Sequence, residues 1–367
     1  MSILVALSGG VDSAVAAALL VREGLRVEAL FMRNWEEEDP SRPCPAEADA
    51  ADAAEVARIL GIPFHRRDFA VEYWESVFAR ALEEFRAGRT PNPDVLCNRE
   101  IKFGVLLEHA RALGIGSLAT GHHARIARRN DRMILLRGAD PEKDQSYFLH
   151  ALSQEQLEAS RFPIGHLRKS EIRRIARELH LRVHDKPDST GICFVGERRF
   201  RPFLERFLGR REGEILSTDG TRLGQHPGVH LFTLGQRAGL GGLRGAAPGP
   251  WYVLAKDVAG NRLYVAQDPE HPWLQSHRIR AARLNWIAGS PPATRFACSA
   301  KLRYRQPDQS CIVEVLDSGE VLAAFEAPQR AVTPGQFLVL YDGEECLGGG
   351  IIVGGDAPGL ARYGFPP

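Results

Sequence analysis

Ser8-Gly9-Gly10-Val11-Asp12-Ser13 constrains the fold of this chain more than any other stretch. An apolar run at 3–7 (ILVAL) leads into it, and an Ala/Leu-rich run at 14–22 leads out, closed by Glu23-Gly24. That order predicts strand, glycine turn and helix. Two glycines let the backbone come close to an anion. The turn amides and the helix N-terminus add partial positive charge, and Ser8 and Ser13 add hydroxyl donors. The loop lacks the G-K-[ST] ending of a Walker A motif and is not G-x-G-x-x-G. A bare S-G-G leaves a plain strand–helix turn open, with Asp12 or Ser13 as the helix cap.

Further strands are predicted at 26–32, 63–69 and 117–121, and helices at 46–60, 71–87 and 95–113. Strands alternating with helices imply an α/β domain whose parallel sheet is covered on both faces. A hairpin at 124–137 turns on Asn130-Asp131, and helices follow at 170–180 and 199–208. After Gly213, glycine and proline punctuate short β-prone runs at 251–255, 262–266, 297–304, 312–315 and 336–341. Such spacing suits small barrels or sandwiches. The expected units are an α/β catalytic domain at 1–211, a mainly-β domain at 212–277 and a β-barrel-like domain at 278–367.

Composition narrows the class. With 367 residues, 44% hydrophobic and 25% charged, the chain reads as a soluble protein of two or three domains. No run approaches the length that spans a bilayer, and no basic segment precedes 3–7, so the cytoplasm is the expected compartment. A net charge of +1 selects no partner, yet 160–211 holds 14 Lys/Arg against 6 Asp/Glu, while 36–59 is acidic. Alone, the basic block reads as solvated helix faces. The six cysteines (Cys44, Cys97, Cys193, Cys298, Cys311, Cys346) are far apart in sequence with no C-x-x-C pair. Neither a disulfide framework nor a zinc ribbon fits, which leaves buried structural thiols or catalytic ones.

Two cysteines have informative surroundings. In Pro91-Asn92-Pro93-Asp94-Val95-Leu96-Cys97-Asn98 two prolines stiffen the approach to a helix. Asp94 and Cys97 fall one turn apart at its start, where the helix dipole lowers a thiol pKa. The alternative is Asp94 as the cap and Cys97 as a packed core thiol. Cys193 follows a glycine turn (Asp188-Ser189-Thr190-Gly191-Ile192) and precedes Arg198 and Arg199, which favour a thiolate.

Together these strings resemble one family. SGGVDS looks like the PP-loop of the ATP pyrophosphatases (the adenine nucleotide alpha hydrolase-like fold), enzymes that split ATP between the α and β phosphates. The chain closely resembles the bacterial tRNA-specific 2-thiouridylases (the MnmA type) over nearly its whole length. The match runs through SGGVDS (8–13), LFMRNW (30–35), PNPDVLCN (91–98), TGHHAR (120–125), KDQSYFL (143–149), STGICF (189–194), FTLGQR (232–237), RYR (303–305) and TPGQ (333–336). Ala14 and His123 are small departures from the family pattern.

The resemblance implies ATP at Ala6, Leu7, Ser8, Gly9, Gly10, Val11, Asp12 and Ser13, with Met32 and Gly121 at the base and ribose. It implies the target uridine at Asn92, Pro93 and Asp94, Cys97 as nucleophile and Cys193 as persulfide carrier. Contacts to tRNA fall at His122, Lys143, Asp144, Gln145, Arg303, Tyr304 and Gln336. Cys97 and Cys193 are also implied to join in a transient disulfide. Mg2+ accompanies ATP, and no carboxylate pair in the sequence fixes its place. The implied substrates are the tRNAs for Lys, Glu and Gln, thiolated at U34, with sulfur from a cysteine desulfurase directly or through a relay. On a tRNA enzyme the basic block 160–211 tracks phosphates.

The implied chemistry is physically sound. A uracil C2 oxygen is no leaving group until AMP is attached to it, after which sulfur can take the carbon. Asp94 is the candidate for proton handling, with helix capping as the alternative. Rivals are an amide-forming PP-loop ligase, an idle RNA-binding module and an iron–sulfur thiolase. Asp94 stands where the last would carry the first cysteine of its pair.

Overall fold

The computed structural model describes residues 2–35, 45–188, 200–237, 243 and 249–362. Cys44 and Cys193 lie outside the described residues, as does the whole of STGICF.

The first strand, β1 (Ser2–Ala6), is buried on both faces, which is why it reads as an unbroken apolar run. Then come β2 (Arg26–Arg33), β3 (Phe64–Asp68), β4 (Leu118–Ala119), the hairpin β5 (Ala124–Arg129) and β6 (Arg132–Arg137), and β7 (Ser160–Arg161). Five of these form a parallel sheet in the order β3-β2-β1-β4-β7. Ile3 and Val5 of β1 face a core with the helices Val11–Arg22, Pro45–Leu60 and Lys169–Glu178. Leu4 faces the opposite core, built with helical segments at 70–86 and 93–112. The order reverses between β1 and β4, so the turn after β1 opens into the crevice where such sheets bind ligands.

β8 (Gly213–Leu216), β9 (Arg222–His226), β10 (Tyr252–Asp257) and β11 (Arg262–Ala266) form a second sheet in the order β10-β11-β8-β9. β12 (Gln275–Trp286), β13 (Arg295–Lys301), β14 (Gln309–Val315), β15 (Val321–Arg330), β16 (Phe337–Asp342) and β17 (Glu345–Gly355) follow in antiparallel order β12-β15-β14-β13-β16-β17. β12 pairs back onto β17 and closes this sheet into a six-stranded barrel.

The hairpin expected at 124–137 is present, and Asn130 (φ 46°) and Asp131 (φ 60°) adopt the left-handed conformation of a tight hairpin turn. Its place was not foreseen. β6 pairs with β17 through Leu136↔Glu345 and Leu135↔Cys346, so the α/β unit contributes two strands to the barrel sheet. Long strands β12, β15 and β17 were also missed, their alternation being broken by Arg283 at φ 53° and by a glycine run in β17. Arg303 and Tyr304, expected inside a strand at 297–304, instead lie in the turn between β13 and β14.

Candidate active site

The loop after β1 is built as an anion cradle. Its helix starts at Gly10 without any side-chain cap, so neither Asp12 nor Ser13 closes the first turn as expected. Ser13 turns back instead: its Oγ accepts from Ser8 N at 3.1 Å and donates to Gly10 O at 3.2 Å. The first-turn amides are thereby left to point at a ligand. Glycine is required twice here. Gly9 sits at φ 74°, and a Cβ there would lie 2.3 Å from Asp49 O. A Cβ on Gly121, just past β4, would lie 2.5 Å from Ser13 N.

An alternating chain of charge braces the cradle. Lys169 Nζ reaches both Asp12 oxygens, at 2.8 and 2.7 Å, and Asp188 at 2.7 Å. Asp188 takes Lys143 at 2.7 Å as well. Lys186 donates to Gly9 O at 3.0 Å, to Asp49 at 2.7 Å and to Asp52. Burial pushes the Asp12 carboxyl up, but His123 and Lys169 outweigh it and hold the group below the usual range. Burial likewise raises Asp188, and Lys143 and Lys169 bring it down to about 2. Both stay ionised at neutral pH. These pairs link the cradle to the KDQ segment through Asp188.

Cys97 lies on the helix at the other core. Asn92, not Asp94, caps that helix, accepting from Asp94 N at 3.2 Å, with Pro93 in the first position. From Cys97 to Val105 the helix widens into a π-helix, a form that recurs at functional sites. Cys97 starts this segment one turn beyond the cap and is fully buried, and its own N–H is spent on Pro93 O and Asp94 O. The dipole therefore acts on it less directly than a first-turn thiol would feel. Asn98 anchors the helix by donating to Phe148 O at 3.2 Å.

Three family models cover the chain: a tRNA methyl transferase HUP domain at 1–197, a tRNA methyl transferase PRC-barrel domain at 201–267 and an aminomethyltransferase beta-barrel domain at 276–352. The tRNA-specific 2-thiouridylase MnmA of Stenotrophomonas maltophilia (strain R551-3) is 59% identical over 359 residues, 97% of this chain and 94% of that protein. The same enzyme of Xanthomonas axonopodis pv. citri (strain 306) is 59% identical over 358 residues, again 97% and 94%. This chain belongs to the tRNA-specific 2-thiouridylase family. Likeness to solved structures is looser: a 4-thiouridine synthetase in complex with RNA and ATP aligns at 15% identity and TM-score 0.34, over 56% of this chain and 50% of that one.

Several of the thiouridylase strings border the cradle or contact one another. Ala6, Leu7 and Met32 end β1 and β2 beside the cradle, Leu7 and Met32 being buried. His123 bridges two strings, with its ring 3.4 Å from Asp12 and its N–H donating to Gln145 Oε1 at 2.9 Å. His122 is buried between Phe103 and Phe162, its Nδ1 2.7 Å from Thr120 Oγ1, and burial pushes its pKa well down, so it is neutral. Asp144 is buried and accepts from Gly138 N, Ser146 N and Ser146 Oγ, each at 3.0 Å.

Arg303 donates from its Nη2 to Ala331 O at 3.0 Å and Thr333 Oγ1 at 3.2 Å. Gln336 donates to Thr90 O at 2.8 Å and Pro91 O at 3.2 Å, fixing the approach to Asn92-Pro93-Asp94 from the barrel. Tyr304 stacks on Phe148 with ring centres 4.5 Å apart. Of the residues expected to touch tRNA, Arg303 is exposed, Lys143, Gln145, Tyr304 and Gln336 are partly exposed, and His122 and Asp144 are buried. His122, Asp144, Gln145, Arg303 and Gln336 direct polar atoms to the protein itself.

Sequence reasoning missed Lys169, Lys186, Asp49 and Asp52. The signal available was the matching of the acidic block with the basic one. Lys169, Lys186 and Arg173 of the basic block pair with internal carboxylates, not with solvent. Helix Phe200–Leu208 docks Phe203 and Phe207 on Trp35, with ring centres 5.7 and 6.3 Å away. Among the described residues no trio of His, Cys, Asp or Glu could hold a metal.

Proposed function

We propose that this chain is an ATP-dependent tRNA 2-thiouridylase acting on the wobble uridine U34. Its O2 attacks the α-phosphorus of ATP, pyrophosphate leaves, and C2 then carries AMP as a good leaving group. The outer sulfur of a persulfide on Cys193 attacks C2 and AMP departs. Cys97 attacks the Cys193 sulfur, which frees 2-thiouridine and forms a Cys97–Cys193 disulfide that a reductant reopens. The variant order, in which Cys97 first releases sulfide from the persulfide, uses the same groups.

The observation that carries this reading is the cradle: a glycine loop with no cap of its own, clamped by Gly121 and Lys186, in a chain 59% identical to 2-thiouridylases. The loop amides grip pyrophosphate, and Met32 and Gly121 border the base and ribose. Lys169 holds Asp12 and Asp188 in place. Asn92, Pro93 and Asp94 take the splayed-out uracil, with Asp94 moving the proton. Because Cys97 is fully buried, tRNA binding has to uncover it before sulfur can pass. His122, Lys143, Asp144, Gln145, Arg303, Tyr304 and Gln336 form or shape the anticodon-arm surface, on the units at 1–211 and 278–367, with the unit at 212–277 between them in sequence.

Mg2+ enters with the nucleotide, where it offsets charge on the leaving pyrophosphate. A cysteine desulfurase or relay protein supplies sulfur, tRNAs for Lys, Glu and Gln are the substrates, and the cytoplasm is the compartment. Among the described residues no helix is long and apolar enough to cross a membrane.

The family-model wording raises methyl transfer as a second reading, and an amide-forming ligase shares the loop. Product analysis separates the three. The thiolation reading predicts tRNA-dependent release of AMP and pyrophosphate. Methylated tRNA with intact ATP, or AMP release that is indifferent to Cys97 and Cys193, would overturn it.

A further inference from the structure

Four cysteines lie among the described residues: Cys97, Cys298, Cys311 and Cys346. The thiolation chemistry uses only the first of them. Far apart in sequence, two of the others face each other. Cys298 of β13 and Cys311 of β14 are directly opposed across the antiparallel pair, with Sγ atoms 3.7 Å apart. Opposed residues in such a pair hold their Cα atoms about 4.5–5.5 Å apart, inside the roughly 4.4–6.8 Å that a disulfide spans. Rotation of two side chains and a small approach close the bond.

The two thiols differ in reach and in reactivity. Cys311 is buried, while Cys298 is only partly so and borders the exposed Ala297. Contact with Cys311 and burial push the Cys298 thiol up, whereas the hydrogen bond from Cys298 holds Cys311 down. Cys298 is the thiol a small molecule meets first, and Cys311 is the better resolving thiolate.

Their strands are the two arms of one hairpin, and its tip at 302–308 carries Arg303 and Tyr304. From that tip Arg303 reaches Ala331 O and Thr333 Oγ1, and Tyr304 OH donates to Lys143 O at 3.4 Å. A bond between the arms therefore fixes the base of a turn that joins the barrel to the α/β unit.

We propose that Cys298 and Cys311 are a second redox-active dithiol, which a small-molecule disulfide such as glutathione disulfide closes into a cross-strand bond that locks this hairpin. Cys298 attacks the small disulfide and forms a mixed disulfide, releasing one thiol. Cys311 then attacks Cys298 Sγ, forms the protein disulfide and expels the second thiol. Two protein thiols are oxidised, one small disulfide is reduced, and the two protons leave on the released thiols. Neither cysteine takes part in thiolation, so the inference stands apart from that reading.

Full-length protein equilibrated in oxidised and reduced glutathione, quenched in acid, alkylated and digested without reductant is expected to yield a peptide joining Cys298 to Cys311. Oxidised protein should also melt several degrees above the reduced form. Both effects should vanish in Cys311→Val, which keeps the apolar packing, while any Cys97–Cys193 link persists in the same digest. Recovery of both cysteines as alkylated thiols or as separate glutathione adducts overturns the proposal. So does a linked peptide with no change in melting temperature.

Discussion

A methyl group at position 121 would sit 2.5 Å from the Ser13 nitrogen, against backbone that cannot turn aside. Gly121→Ala must push the cradle out of shape without touching either hydrophobic core. A misplacement of about 1 Å near reacting groups costs on the order of a hundredfold. We expect a loss of that size in kcat/KM for ATP, read by pyrophosphate release, with a melting temperature lowered by the strain of the forced contact. Lys256 makes a different point. It is fully buried, it donates to Phe232 O at 2.6 Å, and burial takes its pKa down to about 7. An unfolded lysine binds its proton up to about pH 10.4. Between pH 7 and pH 10 the unfolded chain therefore holds more protons than the folded one, and stability rises with pH. Urea denaturation across that window should show this rise in the native chain and a flatter profile in Lys256→Met.

At the scale of elements, the segment at 90–92 is held from outside its own domain. Gln336 caps Thr90 O and Pro91 O, and Thr90 N donates to Pro334 O at 2.9 Å. Gln336→Leu should lower the rate of thiolation about tenfold, by loosening Asn92-Pro93-Asp94, and leave KM for ATP unchanged; equal effects on both would contradict a positioning role. The same elements show what sequence could reveal. β1, the glycine loop and its helix were legible because burial on both faces and a glycine turn are local signatures. The hairpin at 124–137 was legible because Asn130-Asp131 suits left-handed backbone. Lys169 with Asp12, and Cys298 with Cys311, were not, since 157 and 13 residues separate partners that only the sheets bring together. The alternative of Asp94 as the cap of the Cys97 helix falls to Asn92, two positions earlier and an equally good cap by type.

Across the whole molecule, the barrel and the α/β unit share one sheet, and Arg137 is one of the side chains that tie them. Its guanidinium lies 3.7 Å from the Tyr341 ring centre and donates to Asp308 at 2.7 Å and Gly343 O at 3.2 Å. It also reaches the buried Asp144 at 3.5 Å. Arg137→Ala leaves that carboxylate without its cation, a change that costs about 3 kcal/mol when the partner is buried. Differential scanning calorimetry should record a clear drop in melting temperature; an unchanged value would mean that the barrel holds its place without this residue. Such a junction matters because the uridine site, as proposed, draws Asn92 to Cys97 from one unit and Gln336 from another. In the proposed reaction ATP makes the uracil O2 expendable and two cysteines pass sulfur to C2. Mass analysis of nucleosides from U34-unmodified tRNA, incubated with the protein, ATP, Mg2+ and a cysteine desulfurase with cysteine, tests it directly. The native chain should yield 2-thiouridine, and Cys97→Ser and Cys193→Ser none. Thiolated tRNA from a variant lacking both thiols, or formed without ATP, would contradict it.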